Sequence, residues 1–226
     1  MKYRIEGGSL PAAILSLSAG ESIFSEVGGR TWMRGPIQTE TKALGGAGKA
    51  LGRIFTGESL FMSVYSAQGE SEIAFASSFP GKIVVRELQA GESIICQKNA
   101  FLCATSNVNL STYFRKKIGA GLLGGEGFIM QKLTGPGLVF LEIDGFAPEY
   151  TLAPGEELIC DTGVVAIMDA SCGYDIRQVP GLKNKLFGGE GLFDTVVTGP
   201  GKVYLQTMSA ASLAQLLSNY FPSSKE

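Results

Sequence analysis

Gly124-Gly125-Glu126-Gly127, running on to Thr134-Gly135-Pro136-Gly137 and Leu138-Val139-Phe140-Leu141-Glu142, is written twice in this chain. It returns 64 residues later as Gly188-Gly189-Glu190-Gly191, Thr198-Gly199-Pro200-Gly201 and Lys202-Val203-Tyr204-Leu205-Gln206. A weaker copy precedes both, in Gly57-Glu58-Ser59, Ser66-Ala67-Gln68-Gly69 and Glu70-Ser71-Glu72-Ile73-Ala74-Phe75. Proline presets one φ and the glycine after it supplies a positive one, so Thr-Gly-Pro-Gly predicts a type II turn. Period-two alternation on its flank predicts strands, and the whole motif a β-hairpin. The expected inward faces are Ser71, Ile73, Phe75, then Val139, Leu141, Ile143, then Val203, Leu205, Thr207. On the opposite face Glu70 and Glu72 predict a wet surface, whereas Leu138 and Phe140 predict cover by a neighbour. Lys202 and Tyr204 hold that face in the third copy.

A second motif repeats in step with the first. Leu17-Ser18-Ala19-Gly20-Glu21-Ser22-Ile23 reappears as Leu88-Gln89-Ala90-Gly91-Glu92-Ser93-Ile94 and as Leu152-Ala153-Pro154-Gly155-Glu156-Glu157-Leu158. From Gly20 to Gly57 is 37 residues, and from Gly91 to Gly125 and Gly155 to Gly189 it is 34. Repetition at this length means supersecondary units that pack on one another. The chain is therefore expected to be all-β, with three tandem jelly-roll-like or β-sandwich repeats over residues 1–88, 89–152 and 153–208. A C-terminal helix over 209–222 follows, within one compact chain. Leu213, Leu216, Leu217 and Tyr220 mark its apolar face, Ser209 its N-cap and Pro222 its stop. It is expected to cap an open edge of the β-structure.

Length and composition suit this reading. A chain of 226 residues with 45% hydrophobic and 18% charged content can bury a substantial core, and its 31 glycines fit many tight turns. Net charge is −2, so bulk charge does not make it a polyanion binder. Lys2 and Arg4 before the apolar run Leu10 to Leu17 imitate a signal peptide, but that run is one copy of an internal repeat. The expectation is a soluble, cytoplasmic chain.

The chain has no histidine, which removes the commonest general base and any His-ligated metal. Cys96, Cys103, Cys160 and Cys172 form no C-x-x-C pair, and Cys96 and Cys160 fall at one repeat position after Ile95 and Ile159. They read as small buried residues. Gly119-Ala120-Gly121-Leu122-Leu123-Gly124 matches the dinucleotide glycine pattern without the strand before it or the helix after it. Gly46-Ala47-Gly48-Lys49-Ala50 lacks the Ser or Thr of a phosphate loop. Glu21, Glu92 and Glu156, with Glu58, Glu126 and Glu190, recur beside glycine in each copy, so they are expected to accept backbone N–H bonds in turns. Trp32 has no counterpart and reads as core or interface. No catalytic residue, metal site or cofactor is expected.

What remains is a cationic segment in each repeat. Lys42, Lys49 and Arg53, then Arg115, Lys116 and Lys117, then Arg177, Lys183 and Lys185 are nine of the chain's 19 Lys and Arg residues. Solvated loops that resist aggregation explain them in the plainest way. Alternatively they form an anion-facing surface on a common rim.

The Gly-Glu heads and the two Gly-Gly-Glu-Gly to Thr-Gly-Pro-Gly hairpins resemble an uncharacterised bacterial and archaeal family related to the mitochondrial altered-inheritance-of-mitochondria protein. The resemblance runs from about Tyr3 to Leu217; the first copy departs from it, with Ala67-Gln68-Gly69 in place of Gly-Pro-Gly. It implies a fold like the tryptophan RNA-binding attenuation protein, with three jelly-roll-like units per chain and homotrimers closing a nine-unit ring. It implies no enzymatic activity and carries over no site residue; eukaryotic relatives are tied to organisation of the mitochondrial inner membrane. The expected function is non-enzymatic: a ring-like homotrimer presenting the basic loops to an anionic membrane surface or protein partner. An RNA-binding ring, with Tyr113 and Phe114 stacking beside Arg115, is the alternative by analogy of fold. Nucleic acid is the less favoured partner, because Arg177 and Gln178 in the third repeat lack those aromatics.

Overall fold

The computed structural model describes residues 1–43, 61–116, 128–178, 193–208, 212–213 and 216–217. Among the described residues a first strand, β1 (Lys2–Glu6), is followed by three sets of six strands. The first set is β2 (Ala12–Leu17), β3 (Ser22–Glu26), β4 (Trp32–Arg34), β5 (Ile37–Ala43), β6 (Phe61–Ala67) and β7 (Ser71–Ala76). The second is β8 (Gly81–Leu88), β9 (Ser93–Gln97), β10 (Phe101–Thr105), β11 (Asn109–Lys116), β12 (Phe128–Thr134) and β13 (Gly137–Asp144). The third is β14 (Glu149–Leu152), β15 (Glu157–Asp161), β16 (Val165–Asp169), β17 (Gly173–Gln178), β18 (Phe193–Thr198) and β19 (Gly201–Leu205). The period thus opens at β8 and β14, a few residues ahead of the Leu-x-x-Gly-Glu motifs. Residues 212–213 and 216–217 are helical, and Leu216 and Leu217 are exposed. The remainder of the expected helix lies outside the described residues.

Repeats in sequence are not units in space. Met1–Glu92, Phe101–Asn109 and Thr134–Glu142 make one compact unit; Ser93–Ala100, Leu110–Leu133 and Ile143–Glu226 make the other. The first contains sheets ordered β1-β2-β7-β4 and β5-β6-β3-β10-β13-β8. Its core joins Ala13, Leu15 and Leu17 of β2 and Ile73 and Phe75 of β7 to Ile23, Tyr65, Cys103 and Phe140 of the larger sheet. The second contains sheets ordered β11-β12-β9-β16-β19-β14 and β15-β18-β17, around Ile95, Met130, Met168, Ile176, Val197 and Val203. Ile73 and Phe75, and Val203 and Leu205, take the inward positions read from the alternation. In β13, Val139 to Ile143 are buried on both faces, and Phe140 meets the Tyr3 ring edge-on at 5.2 Å. Such a strand reads as a continuous apolar run because its sheet is covered twice. Glu70 stays exposed and Glu72 pairs with Arg4 at 3.1 Å, so the wet face of the first copy is real at that end.

Each set of six divides the same way. Its fourth, fifth and second strands lie side by side, as do its third, sixth and first. The two triplets enter different sheets. The second strand of one set then pairs antiparallel with the third strand of the next: β3 with β10 (Phe24 opposite Ala104) and β9 with β16 (Ile95 opposite Met168). The middle repeat is consequently shared between the two units.

The turns depart from expectation in one respect. Gly135–Pro136 and Gly199–Pro200 are cis, so these are not type II turns, which require a trans bond at that position. The following glycine still takes the positive φ foreseen for it, +144° at Gly137 and +147° at Gly201. A Cβ on Gly137 would also strike the Thr105 hydroxyl and Val108. Gly137→Ala is accordingly expected to cost about 3 kcal/mol, strain plus overlap. Gly91→Ala, at φ +82° with open space around it, should cost about 1–2 kcal/mol. Urea unfolding of the two variants checks the order.

Candidate functional site

The glutamates of the Leu-x-x-Gly-Glu motif behave as turn locks in all three repeats. Glu21 accepts the backbone N–H of Ser18 at 2.9 Å, Glu92 that of Gln89 at 2.9 Å and Glu156 that of Ala153 at 2.8 Å. Their own carbonyls accept the N–H of Ala67, Gly135 and Gly199, each at 2.9 Å. These carboxylates are committed to the backbone and are poor candidates for acid–base chemistry. Glu58, Glu126 and Glu190 lie outside the described residues.

The cysteines are likewise structural. All four are free thiols; Cys96, Cys103 and Cys172 are buried and Cys160 half-buried. Burial pushes the thiols of Cys103 and Cys172 up and that of Cys160 to about 11, with Asp161 and Asp194 adding to the last. A thiol held so far above neutrality is a poor nucleophile. Among the described residues no three His, Cys, Asp or Glu side chains group as metal ligands.

Buried polar groups that the sequence pattern did not reveal also serve the fold. Gln97 donates to the carbonyls of Gly163 and Val165 at 2.8 and 2.6 Å, and Gln206 donates to Gly163 at 2.8 Å. Glu142 accepts the Ser78 N–H at 2.7 Å.

The basic residues are the remaining candidates. Lys42, Lys116 and Arg177 stand at or next to the last residue of β5, β11 and β17, the fourth strand of each set. Their recurrence at one place in the repeat is therefore a property of the fold. Arg115 precedes Lys116 on β11; Lys49, Arg53, Lys117, Lys183 and Lys185 lie outside the described residues. The two cationic side chains that are described meet carboxylates of their own sheets. Lys42 pairs with Glu40 at 3.0 Å. Arg177 holds Glu157 with two nitrogens, at 2.8 and 3.1 Å, and Asp175 at 3.3 Å. The Glu157 contact raises the Arg177 pKa, and Arg177 in turn lowers that of Glu157. Phe114, a stacking candidate in the sequence, packs in the core of its unit with its ring 5.4 Å from Tyr174. Tyr113 alone of that pair is exposed. Among the described residues no helix is long and apolar enough to cross a membrane.

Fold and residues together define a class: a repeated antiparallel β protein in which Glu21, Glu92 and Glu156 serve turns and the buried cysteines serve the core. A family model described as Mitochondrial biogenesis AIM24 matches residues 3–208, and the chain belongs to that family. It is 28% identical over 234 residues to an uncharacterized protein of Streptococcus pyogenes serotype M6, covering 99% of this chain and 92% of that one. A crystal structure of a Streptococcus pyogenes protein, SPYM3_0169, superposes with a TM-score of 0.79 at 25% identity. That match covers 97% of this chain and 99% of the other.

A structural role for the cysteines has a direct test. At pH 7.5 the folded protein should take up iodoacetamide at Cys160 far more slowly than a free thiol does. Uptake should climb as pH approaches 11, where the thiolate of Cys160 appears. Mass spectrometry showing free-thiol rates at neutral pH would refute the assignment.

Proposed function

We propose that this protein is a non-enzymatic interaction protein, a ring-like homotrimer that sets its basic strand ends and loops against an anionic membrane surface. The observation that carries this reading is the recurrence of cations at the close of β5, β11 and β17. One module written three times offers the same charged corner three times per chain, and a trimer multiplies it again. Lysines near an anionic bilayer each contribute about 1 kcal/mol, and the effect decays within a Debye length of the surface. Arg177, already held by Glu157 and Asp175, contributes less than an unpaired cation would. The family description, Mitochondrial biogenesis, is compatible with work at a membrane.

Co-sedimentation with phosphatidylglycerol–phosphatidylcholine vesicles tests the reading. Binding is expected at low salt, weakening steeply as salt rises and absent on pure phosphatidylcholine. Combined Lys49→Ala, Lys116→Ala and Lys185→Ala should weaken it by at least about 100-fold, the loss of three single-lysine contributions in each chain, which the trimer multiplies. No binding at low salt, or filter-bound RNA in place of vesicles, overturns it. Light scattering at three chain masses supports the trimer, and any other mass removes it.

A further inference from the structure

One strand lies outside the repeated set of six, and it shows what an open edge of the module accepts. β1 pairs antiparallel with β2, the first strand of its set, from Lys2 opposite Ser16 to Glu6 opposite Ala12. The first strands of the other two sets, β8 and β14, end their sheets, with no strand beyond them among the described residues. β14 is built as β2 is. Leu15 and Ile14 stand opposite Ile73 and Ala74, just as Tyr150 and Glu149 stand opposite Val203 and Tyr204. Ser77 donates its N–H to the Pro11 carbonyl at 2.8 Å, and Thr207 its own to that of Phe146 at 3.2 Å. Leu205 donates likewise to the Pro148 carbonyl at 3.0 Å. In an antiparallel ladder such bonds fall on alternate residues. Ile14 and Ser16 therefore turn their backbone groups toward β1, and Glu149 and Thr151 turn theirs away from β19.

The side chains differ in cover. Pro11, Ile14 and Leu15 are buried, the last two at 5% and 0% exposed. At the matching places Phe146 is 71% and Tyr150 45% exposed, and Glu149 is exposed as well. β8 answers its open edge with charge, carrying Lys82 and Arg86 where the third set has Phe146 and Tyr150. Charges at such positions discourage strand addition. β14 presents aromatic rings there, and its one charged residue, Glu149, accepts from the Lys202 ammonium at 2.8 Å.

We propose that β14 receives an extended segment of a partner protein, paired antiparallel as β1 pairs with β2. Backbone bonds at Glu149 and Thr151 supply the attachment, and alternate side chains select the partner. The β1 register says what sequence fits. Tyr3 faces Leu15, so an aromatic or aliphatic residue faces Tyr150. Arg4 faces Ile14, so the residue after it faces Glu149 and is Lys or Arg. Ile5 faces Ala13, so a second apolar residue follows beside Pro148. The segment sought is thus apolar, basic, apolar, the pattern of β1 itself.

A fluorescein-labelled, end-capped peptide copying Lys2–Glu6 is the probe, read by anisotropy against the full chain. Binding is expected. Thr151→Pro should abolish it with an unchanged circular-dichroism spectrum, because the N–H it removes faces away from β19. N-methylation of the peptide at its copy of Arg4 should do the same, by blocking the donor that meets Glu149. Glu149→Lys should weaken binding about fivefold, and Arg4→Glu in the peptide should restore it. A peptide that displaced β1 from β2 would be indifferent to Thr151→Pro. No binding, or binding that Thr151→Pro leaves unchanged, overturns the proposal.

Discussion

A glutamate folded back onto its own turn is the contact on which the rest of this structure depends. In each repeat its side chain takes an N–H three residues upstream, and its carbonyl takes an N–H from the end of the fifth strand (Ala67) or the turn just after it (Gly135, Gly199). One residue therefore closes the connection between first and second strands and fastens it to a hairpin more than 40 residues further along. Each such bond contributes about 1 kcal/mol net. Their value lies in register, since a strand displaced by one residue would present its polar face to the core. The glycine before each glutamate, at φ +87°, +82° and +78°, lets the turn close tightly enough for the carboxylate to reach.

Fixed in this way, the six strands do not form a self-sufficient unit. They make two three-stranded panels that enter different sheets, and a panel three strands wide leaves one long edge open on each side. Pairing the second strand of one set with the third of the next seals one edge of each panel so joined and leaves the fourth and first strands at the sheet ends. Burial follows pairing closely: Phe24, Ile95, Phe101 and Val165 flank sealed junctions and are dry, while Trp32 and Ile159 are not. Repetition thus generates the interior of each unit, and Trp32 on β4 and Ile159 on β15 stay exposed where no further copy follows in the chain.

Function must be sought on what this scheme leaves unused. Glu21, Glu92 and Glu156 are turn locks, Cys96 is buried and Cys160 half-buried, and the buried amides of Gln97 and Gln206 answer backbone carbonyls. Cations remain at the closing ends of the fourth strands. Even there the fold intervenes, because Glu157 and Asp175 hold Arg177 in a fixed fork, unlike a lysine on a flexible stem.

The sequence by itself determined the all-β class, the threefold module, the inward positions of Ile73, Phe75, Val203 and Leu205, and the turn role of Glu21, Glu92 and Glu156. These are local properties, written in period-two alternation and in glycine spacing, and they survive whatever the strands pair with. Tertiary structure alone decided which panels share a sheet, and so that the middle repeat would be divided between two units. Strand pairing between repeats is a long-range choice with no local signature, because Ile95 and Ile159 occupy the same motif and differ only in whether a neighbour arrives. For the same reason the partners of Arg177, the burial of Phe114 against Tyr174 and the exposure of Trp32 could not be read from their neighbours in the chain.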